Sequence, residues 1–298
     1  MKGQYMRVWW ASVLGGALLT SFLAGGWTLN QITAQLSPSQ HANTKAPKPD
    51  IITAPRNSKA QSDRFNHRYM AEGALPNFNA FKDVRERKRA FFNFLLPVVE
   101  TANRHIMEER RLIVNLRARQ NQLSEAEQGM LHRLARKYRV PFEPDNQDFW
   151  NKLLERVDVL PPSLVLAQAA IESAWGTSRF AVKGNNLFGV WCFTPGCGLP
   201  PLNRDEGKSH EVRRYPNVLA SVEDYMLNLN RHSHYEALRK LRARLRSEGV
   251  PLTGTALATA LARYSEQGDA YITLVTDMIR QNRLEKYDML AGEIPAKG

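Results

Sequence analysis

Between residues 81 and 140 apolar side chains recur at helical spacing: Phe91, Leu95 and Val98, then Ile106, Ile113 and Leu116. That period predicts amphipathic helices. A second helix opens with a capping box, Ser124 followed three residues later by Glu127. The region reads as a helical hairpin, kinked or restarted at Pro97 because proline removes an internal hydrogen bond. Further along, Pro161-Pro162-Ser163 starts a helix predicted over 163–175, with Ser163 as N-cap and Gly176 as stop signal. Residues 197–215 are expected to form a small β lobe, since Glu211-Val212-Arg213-Arg214-Tyr215 alternates like a strand after a turn-rich stretch. A last helix begins at Tyr271, with Leu274, Val275 and Met278 at core spacing.

Two segments fall outside these patterns. Residues 8–29 carry no charge and follow Lys2 and Arg7, the positive-then-apolar order of an export signal. About twenty apolar residues also suffice to span hydrocarbon. The segment is therefore either a signal removed before Trp27, after Ala24 and Gly26, or an uncleaved inner-membrane anchor. No cysteine follows it, which excludes a lipoprotein anchor. Residues 31–79 are rich in Pro, Ser, Ala, Asn and Lys without periodicity and read as a flexible linker. The expected organisation is a leader over 1–30, a linker over 31–79, a helical lead-in over 80–148 and a main domain over 149–290, in a monomeric protein of the periplasm or cell envelope.

Composition adds little beyond this. A chain of 298 residues, 43% hydrophobic, holds one good-sized core. Its net charge of +12 suits nucleic acid, anionic lipid and wall polymer alike; with no nucleic-acid motif and an export signal, nucleic acid is set aside. The only cysteines, Cys192 and Cys197, flank a Pro195-Gly196 turn, which fits a small disulfide loop, with a free thiol pair as the alternative. Two cysteines without matching histidines do not make a zinc site, and His232 and His234 have no ligand spacing, so neither metal nor cofactor is expected.

The chemistry concentrates in the helix over 163–175. Leu164, Ala167, Ala170, Ile171 and Ala174 are its core residues, leaving Gln168 and Glu172 as a polar pair four residues apart on one side. Glu172 lies in the last turn, where the negative helix end and apolar neighbours such as Trp175 disfavour ionisation. A carboxyl kept protonated near neutral pH is what a glycosidase needs to protonate its leaving oxygen.

Three features carry a resemblance over residues 160–288: the Gln-Ala-Ala-Ile-Glu-Ser helix at 168–173, the Trp175-Gly176-Thr177-Ser178 turn, and Gly184-Asn185-Asn186-Leu187-Phe188-Gly189. Together they resemble the bacterial glucosaminidase family, which includes flagellar rod-digesting enzymes and autolysins, and in particular its Bax-like members. The resemblance implies a predominantly helical α+β, lysozyme-like domain with a small β lobe. It also implies cleavage of peptidoglycan glycan strands after N-acetylglucosamine, an endo-beta-N-acetylglucosaminidase activity with Glu172 as acid. Asn185, Asn186 and Phe188 would then line the groove, with Gln168 and Trp175 beside them; a purely structural turn is the alternative for the Asn-Asn segment.

The second catalytic group is less determined. Glu206 and Glu211 are both candidates, Glu211 preferred because it falls in regular structure and Glu206 on a loop able to close over substrate. Tyr264 and Tyr271 are similar to the family's paired tyrosines, although Ser265-Glu266-Gln267-Gly268-Asp269-Ala270 is one residue longer than the family's connection. Tyr264 is the candidate to hold water or sugar, and Tyr271 is assigned to substrate or to structure. Two other functions compete. A lytic transglycosylase would follow its Glu-Ser helix with a Gly-Leu-Met-Gln type of segment, which is not present. A non-enzymatic wall-binding protein would have no need of a shifted acid.

Overall fold

The computed structural model describes residues 75–202 and 209–288. The leader, the expected linker as far as residue 74, and Glu206 lie outside the described residues. Residues 75–79, expected to belong to the linker, are described, and Phe78 there opens a 3-10 turn (Phe78–Ala80) and is buried in the core. Among the described residues are nine α-helices and one small sheet, a predominantly helical α+β domain with a β lobe. In chain order the helices are α1 (Val84–Ala118), α2 (Glu125–Lys137), α3 (Gln147–Arg156), α4 (Pro162–Glu172), α5 (Arg179–Gly184), α6 (Val218–Arg231), α7 (Glu236–Ser247), α8 (Gly254–Ala258) and α9 (Asp269–Gln281). The strands are β1 (Trp191–Cys192), β2 (Gly198–Leu199) and β3 (Glu211–Arg213). None of the described helices is long and apolar enough to cross a membrane.

The centre of the fold is α4. Ten of its eleven residues are buried, and a helix apolar on all sides has to be surrounded by others. It packs against α1, α8, α9 and the 3-10 turn Leu284–Tyr287. Helix α1 runs unbroken for 35 residues with Pro97 inside it, so of the two expectations at Pro97 the restart does not occur. Its apolar stripe, Phe91, Leu95, Val98, Ile106, Ile113 and Leu116, is buried as the period predicted. At about 1.5–3 kcal/mol per fully buried large side chain, that stripe outweighs the single hydrogen bond forfeited at a proline. Residues of the lead-in and of the main domain share one hydrophobic cluster, from Phe78 to Leu284. The capping box at Ser124 and Glu127 forms as expected.

The N-terminus of α4 differs from its sequence reading. Ser163 is inside the helix, and Pro161 holds the cap position with no side-chain bond of its own. The cap comes from Asp288, 125 residues away: Oδ1 accepts from Ser163 N (2.9 Å) and Oδ2 from the Ser163 hydroxyl (2.6 Å) and Gly254 N (2.9 Å). A buried first turn has no water to satisfy its N–H groups, so a carboxylate from elsewhere in the fold does it. Gly254 permits the approach, since a Cβ there would lie 2.1 Å from Ser163 Oγ. Asp288→Ala is expected to cost about 2–3 kcal/mol by orphaning three buried donors, measured as a lower urea midpoint at unchanged slope; a loss under about 0.5 kcal/mol would contradict the cap.

The sheet is antiparallel in the order β1-β3-β2, with Cys192 opposite Glu211 and Leu199 opposite Val212. β1, which ends in Cys192, lies outside the 197–215 span expected for the β lobe. Cys192 and Cys197 form the expected disulfide.

Candidate active site

Glu172 is the last residue of α4, and the chain reverses sharply behind it. Ala174, Trp175 and Gly176 take φ of 49°, 62° and 73° in succession. Left-handed backbone at Ala and Trp is strained, and such strain persists only where surrounding contacts enforce it. Here the Ser173 hydroxyl donates to Ala169 O (2.6 Å) and accepts from Gly176 N (2.7 Å), while Trp175 N donates to Ala170 O (2.9 Å). The Trp175 ring meets Phe91 and Phe92 of α1 edge-on. Only glycine fits at 176, where a Cβ would lie 2.6 Å from the Phe78 ring. The predicted stop signal is thus correct in kind, but the helix ends three residues before 175 and Trp175 turns toward α1.

The Glu172 side chain is half-buried, and burial raises its carboxyl to about 7, opposed in part by a hydrogen bond from Tyr271. Enclosure, as expected from apolar neighbours, is the dominant cause of the shift, and the side chain bonded to the carboxyl is a tyrosine. Tyr271 Oη donates to Glu172 Oε1 at 2.7 Å. Tyr271 Oη in turn accepts from Gln168 Nε2 at 2.9 Å, and Tyr225 donates to Gln168 Oε1. A phenol has one proton to give, so the direction is set along the chain from Tyr225 through Gln168 and Tyr271 to Glu172 Oε1. An acid proton on Glu172 is then left to Oε2.

The other predicted residues separate into those that touch this network and those that support it. Gln168 and Tyr271 have no exposed surface, and their hydrogen bonds run to Glu172, Gln168 through Tyr271. Tyr264 is 2% exposed and stacks on Tyr271 at 5.2 Å, yet its hydroxyl has no partner among the described residues. Buried hydroxyls without partners are rare enough to mark a place for water or ligand. Phe188 has no exposed surface and stacks on Tyr225 at 3.9 Å. Asn186 donates to Val190 O and Arg213 O, and its Oδ1 accepts from Phe188 N and Val190 N. Asn185, left-handed at φ 51°, caps α5 and donates to Tyr215 O. The Asn-Asn segment thus ties α5 to β3, and Phe188 is set against the Tyr225 ring.

Glu211 is likewise occupied. Its two oxygens accept from Gly196 N (3.1 Å) and Gly198 N (2.7 Å), so the carboxylate braces the disulfide loop. Ligand atoms of Cys192, Cys197 and Glu211 lie within 4.8 Å of one another, but with both sulfurs bonded to each other only the carboxylate remains to ligate.

A family model described as mannosyl-glycoprotein endo-beta-N-acetylglucosaminidase, the glucosaminidase family, matches residues 147–284. The chain is 31% identical to Protein bax of Escherichia coli (strain K12) over 252 residues, 84% of this chain and 90% of that protein. It is 31% identical to Exo-glucosaminidase LytG of Bacillus subtilis (strain 168) over 143 residues, 46% of this chain and 49% of that one. No solved structure matches the chain. Sequence likeness over most of its length, with a glucosaminidase match spanning α3 to the 3-10 turn after α9, makes this chain a member of the Bax-like glucosaminidase family.

Proposed function

We propose that the protein is a peptidoglycan hydrolase that cleaves glycan strands after N-acetylglucosamine as an endo-beta-N-acetylglucosaminidase. The observation that carries the reading is Glu172, a carboxyl raised to about 7 by burial and oriented by a one-way hydrogen-bond chain. Near neutral pH it presents a proton on Oε2 to the glycosidic oxygen. Tyr264 holds water or a sugar hydroxyl with its unpartnered Oη. With both Glu211 oxygens engaged by the disulfide loop, the developing cation is met by water or by the sugar's own acetamido group, a route some glycosidases take in place of a second carboxylate. The substrate lies outside the cytoplasm, which agrees with reading residues 8–29 as export signal or inner-membrane anchor. No cofactor is needed.

Digestion of purified peptidoglycan by the full-length protein tests the reaction. Mass spectrometry is expected to find internal fragments ending in reducing N-acetylglucosamine. Reducing N-acetylmuramic acid ends would make it a muramidase, anhydro-muramic ends a lytic transglycosylase, and release of terminal units alone an exo-enzyme; intact strands would leave a wall-binding protein.

A further inference from the structure

A cavity of about 330 Å³ opens between the first turns of α1 and the 3-10 turn Leu284–Tyr287. Its lining includes four cations, Arg85, Lys88, Arg89 and Lys286, together with Phe92 and Tyr287; no carboxylate of the described residues lines it. Of the nearby acids, Asp83 Oδ1 accepts from the backbone N–H groups of Arg85 and Glu86, Glu285, exposed on the 3-10 turn, is not among the lining residues, and Glu86 lies 3.9 Å from Arg89 in a solvated pair. Such an exposed pair holds its partners weakly. The two ammonium groups sit over rings, Lys88 Nζ 4.7 Å from the Trp175 centroid and Lys286 Nζ 4.8 Å from that of Tyr287. A concave, cation-lined site of this volume that includes aromatic rings suits a short chain bearing several carboxylates, because arginine grips carboxylates with two donors and rings accept its methylenes.

Position narrows the occupant. Lys88 is over Trp175, and Trp175 is three residues beyond Glu172, so one edge of the cavity adjoins the end of the catalytic helix. We propose that this pocket binds the carboxylates of the acidic peptide stems that branch from the glycan strand, holding the strand by its side branches while Glu172 acts on the sugars. This rests on the hydrolase reading above. A strand stripped of stems keeps only the single lactyl carboxylate of each muramic residue, whereas a stem offers several anions at short intervals.

The test compares full-length wild type with the Arg85→Ala/Arg89→Ala/Lys286→Ala variant on glycan strands with stems and on strands stripped of them. Wild type is expected to favour stem-bearing strands about tenfold in kcat/KM, with the preference carried by KM, fading at high salt and absent from the variant. An equal preference in both proteins would overturn the proposal. If wild type cleaves neither substrate, the hydrolase reading fails on its own. Titration with the free stem peptide, followed by NMR, then judges the pocket: shifts at the cavity residues in wild type that the variant lacks sustain it. No shifts, or shifts with inorganic phosphate but not with the peptide, overturn it.

Discussion

Glu172→Gln is expected to lower the rate of peptidoglycan cleavage by at least about 10²–10⁴, the usual worth of a positioned general acid, while making the protein more stable at alkaline pH. The amide is isosteric and keeps an oxygen to accept from Tyr271, so the chain Tyr225–Gln168–Tyr271 survives. Only the transferable proton is lost. The stability gain follows from linkage. The carboxyl titrates near its ordinary 4.5 when unfolded and at about 7 in the fold. As pH rises between these values the unfolded state loses its proton first, and native stability falls until the shift is fully expressed above 7. A displacement of this size corresponds to about 3 kcal/mol at most; because the side chain keeps some solvent contact, about 1–2 kcal/mol is expected at pH 8. Unfolding curves of the two proteins should therefore coincide at pH 4 and separate at pH 8. In wild type, kcat/KM should fall above pH 7 as the acid form disappears. A variant that is inactive but no more stable at pH 8 would mean that the carboxyl is not held protonated by burial. An active variant would remove Glu172 from the chemistry.

How much of this site is legible in the chain depends on whether its causes are local. Glu172 stands out because a carboxylate in an otherwise apolar helix demands a reason, and the one-sided placement of Gln168 is a matter of helical period. The capping box of α2, the buried stripe of α1 and the disulfide follow from residues within one or two turns. What escapes are partners far away along the chain. Tyr225, which aims Gln168, is 57 residues from it and sits in α6 among ordinary core residues such as Val222 and Leu229. Asp288, which caps α4, closes a span of 125 residues. Its signal in sequence is only negative: Pro161-Pro162-Ser163 offers no capping side chain at the observed boundary. Phe188 and Asn186 suit sugars because amides and rings bind them well, and the same groups also satisfy buried turns; that both are buried depends on Tyr225 and Arg213, far along the chain. The positive φ at Ala174 and Trp175 has no sequence signature, since neither residue favours it.

Removing Asp158 should have the largest effect on stability of any single change in the described core, about 3–5 kcal/mol for Asp158→Ala. The need for it starts with α4. Because that helix is central, the segment leading into it is buried too, and its backbone groups have no water. Side chains supply the bonds: Asn103 pairs with both the N–H and the carbonyl of Leu160, Asn230 donates to Asp158 O, and Arg242 donates to Asp158 O and Val159 O. Arg242 has no exposed surface, and an arginine there needs a counter-charge. Asp158, 2% exposed, provides it, bonding Arg246 through both oxygens at 2.8 and 2.7 Å with Arg242 and Arg110 within 3.9 Å. Burial by itself would raise this carboxyl, but Arg242, Arg110 and Arg246 hold it below its ordinary value. A lowered folded value means its contribution is complete above the unfolded carboxylate range and is lost as pH falls through the folded one. Asp158→Ala leaves three guanidinium groups facing one another with their only shared anion gone. Its urea midpoint should drop at pH 7, and the gap from wild type should narrow toward pH 2. Since residues 158–160 feed directly into the helix that ends at Glu172, cleavage by the folded fraction should fall as well. A loss below about 1 kcal/mol at neutral pH would show that backbone carbonyls alone satisfy the arginines, and the ion cluster would then have no part in fixing where α4 begins.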